Sequence, residues 1–311
     1  MDALSQLIRL TRVQGSLDLR CQMAGTFAVE HDRVPAGEAP FHLVLAGCCV
    51  LEPDGGAPLQ LAAGDLVLLP HGHAHRVREA QSGVAGGTLR IDDDGALPTR
   101  RNSDGPANLD LLCGRFHVAP GTVGLLMTAL PDVVHVSLTS DAGLDELRAL
   151  IALMRAEVQR AQPGALAIVT ALSQALFVMA LRAHVRGGTT PACLLALLVD
   201  ARLGRSVQAM LRDPARDWSV ESLAAEAAMS RATYARRFHD TGGLSPWDLL
   251  TRLRMHVASD LLLGGREPIG DVAARVGYHS EAAFGKVFRA HMGLTPARFR
   301  RERRRATPPA A

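Results

Sequence analysis

The sequence has few aromatic residues, few cysteines and no uninterrupted apolar run of transmembrane length. Phe, Trp and Tyr make up 4% of the 311 residues, so the chain offers little aromatic surface for stacking the bases of RNA. Five cysteines, an odd number in a long chain, are not the pattern of a disulfide framework. The longest apolar stretch, Ala165–Leu181, is interrupted by Thr170, Ser173 and Gln174, so we expect no transmembrane helix and no membrane partner.

Several other signals are also absent. The segment Met1–Ser5 lacks a basic region followed by an apolar one, so we expect no secretory signal and a cytoplasmic protein. The chain contains no phosphate-binding glycine loop, no HExxH helix and no nucleophile elbow. These absences argue against the common nucleotide-dependent and hydrolytic enzymes.

The charges are distributed unevenly along the chain. Residues 1–204 carry 16 basic and 20 acidic side chains, whereas residues 205–311 carry 18 basic and 11 acidic ones. The last third is therefore basic although the net charge of the whole chain is only +3. A basic module of this kind indicates either a nucleic-acid partner or a solvated basic face.

The pattern of apolar residues changes along the chain. Between Gly15 and His135, short runs rich in Val and Leu, such as Phe41–Val50 and Gly64–Leu69, predict the strands of a sandwich or barrel. The polar stretch Asp92–Asn108 is predicted to be a surface loop. After Ser140, apolar residues at helical spacing predict two antiparallel helices, the second over Ala165–Ala183. These helices either pack on the β-domain or form a homodimer interface, and we favour the interface.

The basic third contains an internal repeat with a spacing of about fifty residues. Each copy, Val220–Pro246 and Ile269–Pro296, predicts a short helix, a tight turn and a second helix that begins after a serine. A helix-turn-helix needs a small residue where the helices meet and an apolar residue on the buried side of the second helix. These are supplied by Ala224 and Phe238 in one copy and by Ala273 and Phe288 in the other.

The exposed face of each second helix is predicted to enter the major groove of double-stranded DNA, where arginine contacts guanine or phosphate. The candidate DNA-binding residues are Arg231, Thr233, Arg236, Arg237, Ser280, Glu281, Lys286 and Arg289. Lys286 is the only lysine in the chain.

Residues from about Asp200 to Arg305 resemble the double helix-turn-helix domain of AraC-type transcription regulators. The resemblance is carried by Trp218–Ala224, Met229–Arg231, Arg236–Phe238, Gly242–Pro246, Ile269–Ala273, Val276–Tyr278, Phe284–Phe288, Gly293–Pro296 and Phe299–Arg301. It implies two recognition helices in successive major grooves, joined by a long helix around Pro246–Leu263. It also implies base-reading positions at Ala232, Thr233, Ala235, Arg236, Glu281, Ala282 and Lys286, of which we favour Arg236 and Lys286.

The segment Gly64–His75 resembles the second motif of cupins, in which Gly and Pro-x-Gly shape a turn and a closing histidine points into the barrel. Only His42 stands where the first cupin motif would supply several ligands, so a cupin-type oxygenase or isomerase is not expected. Folded together, Cys21, His42, His75 and Cys113 could form a Cys2His2 set suited to zinc. The alternative is that these thiols and histidines only fill the core.

Cys21 and Cys113 also resemble the arrangement in a subgroup of these regulators that responds to reactive chlorine or related oxidants. That chemistry needs a thiolate of lowered pKa and a second thiol within disulfide reach. Arg20 and Arg115 are candidates for stabilising the thiolate, and Cys48 and Cys49 are expected in the core. A small organic effector in the barrel is a further alternative.

The sequence therefore predicts an α+β protein of two domains: a cupin-like β-barrel with a helical dimerisation segment, and an all-α double helix-turn-helix domain. The boundaries are a sensor domain at 1–140, a helical linker at 141–199, the DNA-binding domain at 200–305 and a tail at 306–311. We expect a non-enzymatic transcription regulator that binds double-stranded DNA as a homodimer, and RNA polymerase if it is an activator. The alternatives are a cupin-type metalloenzyme with a nucleic-acid-binding appendage and an architectural or RNA-binding protein.

Overall fold

The structure, a computed structural model, divides into two compact units. One comprises residues 13–119 and 130–189, and the other comprises residues 1–12, 120–129 and 190–311. The residues that the structure describes are 2–11, 13–80, 88–93, 97–103, 105–118, 126–127, 130–137, 145–160, 162–186 and 192–306. The predicted tail lies outside the described residues from residue 307 onward, as does the predicted boundary at residue 140.

The first unit contains two β-sheets. Its strands within the described residues are β1 (Gln14–Met23), β2 (Ala28–His31), β3 (Glu38–Ala46), β4 (Cys48–Pro53), β5 (Leu59–Ala62), β6 (Leu66–Leu68), β7 (His75–Arg78), β8 (Arg90–Asp92), β9 (Thr99–Arg101), β10 (Leu109–His117) and β11 (Val134–Val136). One sheet has the order β11-β6-β3-β10-β1-β9-β8 and the other β2-β7-β4-β5. Both sheets contribute to one apolar core, in which Val44 and Leu111 of the larger sheet meet Leu51 and Val77 of the smaller one.

The predicted continuous run Phe41–Val50 is two strands in two different sheets. The chain leaves the larger sheet after β3 and enters the smaller sheet at β4 through Gly47, whose φ is +81°. A Cβ atom at this position would lie 1.9 Å from the Asn108 carbonyl oxygen, so only glycine fits the crossing. A glycine inside an apolar run therefore marks a change of sheet here.

The segment Asp92–Asn108 is not only a surface loop, as the sequence suggested. Thr99–Arg101 forms β9 and pairs in parallel with β1, which places Arg100 opposite Cys21. The polar composition of this stretch gave no sign of the three-residue strand β9. Its partner strand, β1, lies almost eighty residues earlier in the chain. The sequence-based interpretation of this segment as irregular is wrong at β9.

Among the described residues, the first unit also contains the helices α2 (Asp145–Arg160) and α3 (Ala165–Arg186). A shorter helix, α1 (Ala3–Thr11), belongs to the other unit. Leu147, Ile151, Met154 and Val158 are buried along one stripe of α2, as their spacing predicts. By length and composition alone α3 is sufficient to cross a membrane, which the sequence did not lead us to expect. It contacts α2, β1 and β11, so one part of its apolar surface is buried within the unit, including Leu176 and Phe177.

The second unit is helical throughout its described residues. Besides α1, its helices are α4 (Leu194–Val199), α5 (Leu203–Arg212), α6 (Val220–Glu226), α7 (Arg231–Gly242), α8 (Pro246–Gly264), α9 (Ile269–Arg275), α10 (Glu281–Met292) and α11 (Pro296–Ala306). α1 packs against α4 and α5, although it is far from them in sequence. The predicted α+β fold class is confirmed: a sheet-rich part precedes a helical part with the expected long helix, α8.

Candidate functional site

The first helix-turn-helix is formed by α6 and α7. The Ser219 hydroxyl accepts a hydrogen bond from the Ser222 N–H, and the Ser222 hydroxyl accepts one from the Ser219 N–H, so α6 begins with a capping box. In the turn, the Met229 N–H donates to the Ala224 carbonyl oxygen at 2.9 Å, which holds the two helices at their point of closest approach. Ser230 then caps α7 by accepting a hydrogen bond from the Thr233 N–H.

The second helix-turn-helix, α9 and α10, repeats this construction. The Tyr278 N–H donates to the Ala273 carbonyl oxygen at 2.9 Å, and Ser280 caps α10 by accepting from the Ala283 N–H. The left-handed turn residue is Gly277 here, with φ of +81°, whereas the first copy uses Ala228 with φ of +51°. The two copies therefore share the same local geometry. The second copy has one extra residue, His279, between the turn and the capping serine.

Each second helix buries one face and exposes the other. Tyr234 and Phe238 are buried beneath α7, and Phe284 and Phe288 are buried beneath α10. Of the eight predicted DNA-binding residues Thr233 is half-buried, and the exposed ones are Arg231, Arg236, Arg237, Ser280, Glu281, Lys286 and Arg289. The geometry thus presents two polar helix faces on two similarly built motifs.

The basic residues on these faces differ in their internal contacts. Arg231 Nη1 lies 2.9 Å from Glu221 Oε1, and Arg237 Nη2 lies 3.2 Å from Asp200 Oδ2. Within the part of the chain that the structure describes, Arg236, Lys286 and Arg289 make no ion pair. A guanidinium without an internal carboxylate partner can contact DNA without first breaking a bond, which favours Arg236 among the arginines of α7.

The cupin-like unit contains a cavity of about 590 Å³. Its walls come from β1, β2, β3, β7, β8, β9 and β10, and its lining residues include His31, His42, His75, Arg100 and Cys113. The turn that the cupin motif predicts is present, since Gly72 has a φ of +64° and His75 begins β7. The sequence-based prediction of His42, His75 and Cys113 near one another therefore matches their positions in the structure.

The four residues of the predicted Cys2His2 set lie in a row. His75 Nε2 is 2.7 Å from His42 Nε2, and His42 Nδ1 is 3.2 Å from Cys113 Sγ. Cys113 Sγ is in turn 3.8 Å from Cys21 Sγ. The two nitrogens of the His42 ring thus face in different directions, one toward a histidine and the other toward the thiols.

His31 completes this histidine–cysteine cluster (His31, His75, His42, Cys113 and Cys21), and the sequence analysis did not identify it. The ring of His31 stacks on the ring of His75 with centroids 4.7 Å apart, and β2 pairs His31 directly with His75. His31 lies outside both cupin motifs, so no local signal marks it. Only the pairing of β2 with β7 shows that it belongs with His42 and His75.

The three histidines are held in their neutral form. Burial lowers the pKa of His31 to about 3, and the neighbouring His75 adds to this effect. Burial also lowers the pKa of His42 well below its usual value, with further lowering from His31 and His75, and burial lowers the pKa of His75. Neutral imidazoles have a free lone pair, which makes them suitable ligands for a divalent metal ion.

The two thiols of the cluster are unequal. The hydrogen bond from the Cys113 thiol lowers the pKa of Cys21 against the opposing effect of burial, and Arg100 lowers it further. The same interaction, together with burial, raises the pKa of Cys113 well above the usual value. Of the two thiols, Cys21 therefore loses its proton more readily than Cys113.

The two arginines that the sequence suggested as stabilisers of a thiolate, Arg20 and Arg115, bind carboxylates instead. Arg20 binds Asp110 through two hydrogen bonds, and Arg115 pairs with Asp18 and Glu38. Neighbours along a strand face opposite sides, which explains why Arg20 does not reach the sulfur beside it. Arg100 of β9 takes the role that the sequence analysis gave to these two residues.

The remaining cysteines lie outside the cluster. Cys49 is buried, and burial raises its pKa to about 12. Cys48 is exposed, so the expectation of a core position is wrong for this residue. It precedes Cys49 on β4, where successive side chains face opposite sides of the sheet.

Comparisons with known proteins cover nearly the whole chain. The Cupin family matches residues 2–186, and a helix-turn-helix domain family matches residues 223–302. The chain is 31% identical to an uncharacterized HTH-type transcriptional regulator of Haemophilus influenzae over 97% of this chain and 99% of that protein. It is 29% identical to the RCS-specific HTH-type transcriptional activator RclR of Escherichia coli, over 99% and 100% of the two chains.

A further relative, a putative AraC-like transcription regulator of Streptomyces lividans, is 31% identical over 97% of this chain and 98% of its own length. These full-length relatives are named as regulators, which contradicts the alternative of a cupin-type metalloenzyme. The two repeated helix-turn-helix motifs lie in the matched DNA-binding part, and the histidine–cysteine cluster lies in the matched cupin part. The chain therefore belongs to the AraC-like DNA-binding transcription regulators that carry an N-terminal cupin domain.

Proposed function

We propose that this regulator senses oxidants by forming a disulfide between Cys21 and Cys113, and that the disulfide changes its binding to DNA. The observation that carries the proposal is the 3.8 Å separation of the two Sγ atoms beside a cavity that Cys113 lines. The similarity to an RCS-specific activator over the full length of both chains supports the same function.

The chemistry needs no group beyond the two thiols and the oxidant. Hypochlorous acid transfers chlorine to one sulfur of the pair, which forms an S–Cl bond and releases water after protonation. The other sulfur attacks, the S–S bond forms and chloride leaves, so two thiols and one HOCl give a disulfide, water, chloride and a proton. The sulfurs must approach from 3.8 Å to a bond length of about 2.05 Å.

Disulfide formation between Cys21 and Cys113 changes the relative position of β1 and β10, two adjacent strands in the interior of the larger sheet. Cys21 and Cys113 lie on the neighbouring strands β1 and β10 but are not directly paired, since Cys21 is opposite Leu111 and Cys113 is opposite Leu19. A bond between diagonal positions draws the two strands together and favours a sensor conformation that the reduced protein rarely occupies. DNA binding changes to the extent that the two conformations differ in affinity for the operator.

Cys21→Ser and Cys113→Ser should each abolish the change in DNA binding that hypochlorite produces in the wild type. The measurement is binding of the full-length protein to its operator before and after addition of stoichiometric hypochlorite, with peptide mass spectrometry to detect the Cys21–Cys113 disulfide. Cys48→Ser is the matched control, because Cys48 is exposed and outside the cluster, and it should respond like the wild type. An oxidant response that persists in both cluster variants would refute the proposal.

For the DNA interface, we propose that Arg236 and Lys286 read bases. Arg231, Arg237, Ser280 and Arg289 then contact the phosphate backbone, and Thr233 and Glu281 border the bases that Arg236 and Lys286 contact. The support is the exposure of Arg236 and Lys286 at corresponding faces of the two motifs, combined with the internal ion pairs of Arg231 and Arg237. Phosphate contacts position a protein on the duplex, whereas base contacts carry the sequence information.

We also propose that the regulator acts as a cytoplasmic homodimer, with RNA polymerase as a partner if it is an activator. Leu153 of α2 and Leu166 and Ile168 of α3 are large apolar side chains exposed on adjoining helices. Ile168→Glu should weaken self-association in sedimentation experiments. Val199→Glu, at an equally exposed apolar position in the other unit, should not. A monomeric wild type at micromolar concentration would contradict the proposed dimer.

In addition to sensing oxidants, the sensor domain is a candidate for binding a metal ion in its cavity, and we propose that this ion is zinc. The cupin family assignment and the convergence of His31, His42 and His75 support a metal site. The sequence suggested the ligands Cys21, His42, His75 and Cys113. The row in which these four residues lie favours a different ligand set.

A further inference from the structure

The three histidines of the cluster are spaced like the ligands of one metal ion. One ring nitrogen of each lies within 4.8 Å of the others, and His42 Nε2 is 2.7 Å from His75 Nε2. Zinc–nitrogen bonds of about 2.0–2.1 Å in a tetrahedron place neighbouring nitrogens roughly 3.3 Å apart. The 2.7 Å separation is shorter than this value and the 4.8 Å limit is longer, so binding of one ion by all three nitrogens requires the rings to adjust.

His31 shows that the cluster is not satisfied by its internal hydrogen bonds. Its Nε2 atom is buried and has no hydrogen-bond partner within the described part of the chain. The other two histidines are oriented by neighbours: His75 Nδ1 contacts the His73 carbonyl oxygen at 3.0 Å, and His42 Nδ1 contacts Cys113 Sγ. Fixing one ring nitrogen so that the other is free for a metal is typical of metal-binding histidines.

The cysteines lie on the wrong side of His42 to share this ion. Cys113 approaches Nδ1 of His42, whereas His75 approaches its Nε2, and Cys113 Sγ is 3.8 Å from Cys21 Sγ. An ion bound between the three histidines therefore has the imidazole ring of His42 between itself and the sulfurs. The thiol pair and the metal site are adjacent but separate.

The cavity leaves space for an additional ligand and provides access for a cation. Asp32 and Asp93, both exposed, line it together with the histidines. A cavity of about 590 Å³ has room for water or a small molecule at a fourth coordination position. Three histidines with one open position are a common zinc arrangement in proteins, and imidazole is also a good ligand for other first-row metals.

We propose that His31, His42 and His75 bind one Zn²⁺ ion with neither Cys21 nor Cys113 as a ligand. This inference rests on the proposed metal binding and assigns its ligands, but it does not depend on the proposed disulfide. With Nε2 of His42 on the metal, Nδ1 carries the hydrogen and donates to Cys113 Sγ. The metal and the disulfide can therefore be present in the same molecule.

The ligand set is tested with the metal-free full-length protein and Zn²⁺ alone. Equilibrium dialysis with elemental analysis should give one zinc per chain, and His31→Gln should weaken binding by about 100-fold or more, since it removes a ligand. His73→Gln, a matched substitution of a half-buried histidine that contributes only its carbonyl oxygen to the cluster, should bind like the wild type, as should Cys21→Ser. Unaltered affinity in His31→Gln, or a loss in Cys21→Ser, would overturn the proposal.

Co²⁺ as a spectroscopic probe distinguishes the two ligand sets directly. Cobalt held by histidine nitrogens gives visible d–d absorption without the near-ultraviolet charge-transfer band of a cobalt–thiolate bond. We expect the visible bands alone, and their loss in His31→Gln. A thiolate band at one equivalent of Co²⁺ that disappears in Cys21→Ser would establish the Cys2His2 set instead.

Oxidation with diamide, a thiol-selective oxidant, separates this inference from the proposed sensing function. Protein oxidised to the Cys21–Cys113 disulfide should retain its zinc, because the sulfurs are not ligands. Release of zinc on disulfide formation would overturn the three-histidine site. If no disulfide forms, the sensing proposal fails, while the dialysis and cobalt experiments still decide the metal site.

Discussion

Replacing both Arg236 and Lys286 with alanine should weaken operator binding by about 2–6 kcal/mol, or roughly 30-fold to 10⁴-fold in Kd. Each side chain is exposed on the second helix of a separate motif, and neither is held by an ion pair within the described residues. A base contact contributes about 1–3 kcal/mol, and contributions from separate helices are expected to add. Binding to random DNA should fall much less.

The operator for this measurement comes from genomic footprinting or from selection of bound sequences with the full-length protein. Arg252→Ala combined with Arg266→Ala is the matched control, because it removes two exposed positive charges from the same unit outside the recognition helices. This control should weaken operator and random DNA alike and reduce the salt dependence of binding. An equal loss on both DNAs in the Arg236 and Lys286 variant would make these residues phosphate contacts.

Acidification should destabilise the cupin-like unit of the metal-free protein through its buried histidines. The pKa of His31 is lowered to about 3, below the value of 6.5 expected in the unfolded chain, so the unfolded state binds more protons. Stability is therefore lost as the pH falls below about 6.5, and the loss continues toward pH 3. His31 alone should account for on the order of 2 kcal/mol between about pH 6 and pH 4. His42 and His75 contribute in the same direction because their pKa values are also lowered.

The tryptophans provide an internal control for this experiment. Trp218 and Trp247, the only two in the chain, both belong to the helical unit, so tryptophan fluorescence follows that unit. Circular dichroism in the β-sheet region follows the cupin-like unit. We expect the circular dichroism transition to move with pH more than the fluorescence transition, and the dependence to be shallower in His31→Gln. A His31→Gln variant with the same pH dependence as the wild type would contradict this assignment.

Much of the DNA-binding unit could be predicted from the sequence because its signals are local. The serines before α7 and α10, the glycines after them and the buried Phe238 and Phe288 all act within a few residues of their own helix. A repeat of such signals at a constant spacing identifies a double helix-turn-helix without knowledge of long-range contacts. Even there, the ion pair of Arg237 with Asp200, from α7 to the segment before α5, required the tertiary structure.

The sensor site could be predicted only in part. The cupin motif located His75 and, by comparison, His42, and Cys21 and Cys113 were candidates through the resemblance to an oxidant-responsive subgroup. The sequence suggested a tetrahedral set, whereas the structure has a row, in which one nitrogen of His42 faces His75 and the other faces Cys113. Arg100 was missed because its strand is three residues long and lies in a polar segment.

The sequence by itself determined the family, the two-part architecture and the repeated recognition helices of this protein, because short-range caps, turns and helical periodicity specify them. Only the tertiary structure decided which side chains share the cavity. His31 reaches His75 through the pairing of β2 with β7, and Arg100 reaches Cys21 through the pairing of β9 with β1. Strand pairing joins residues that are distant in the chain, and its register decides which side chains meet.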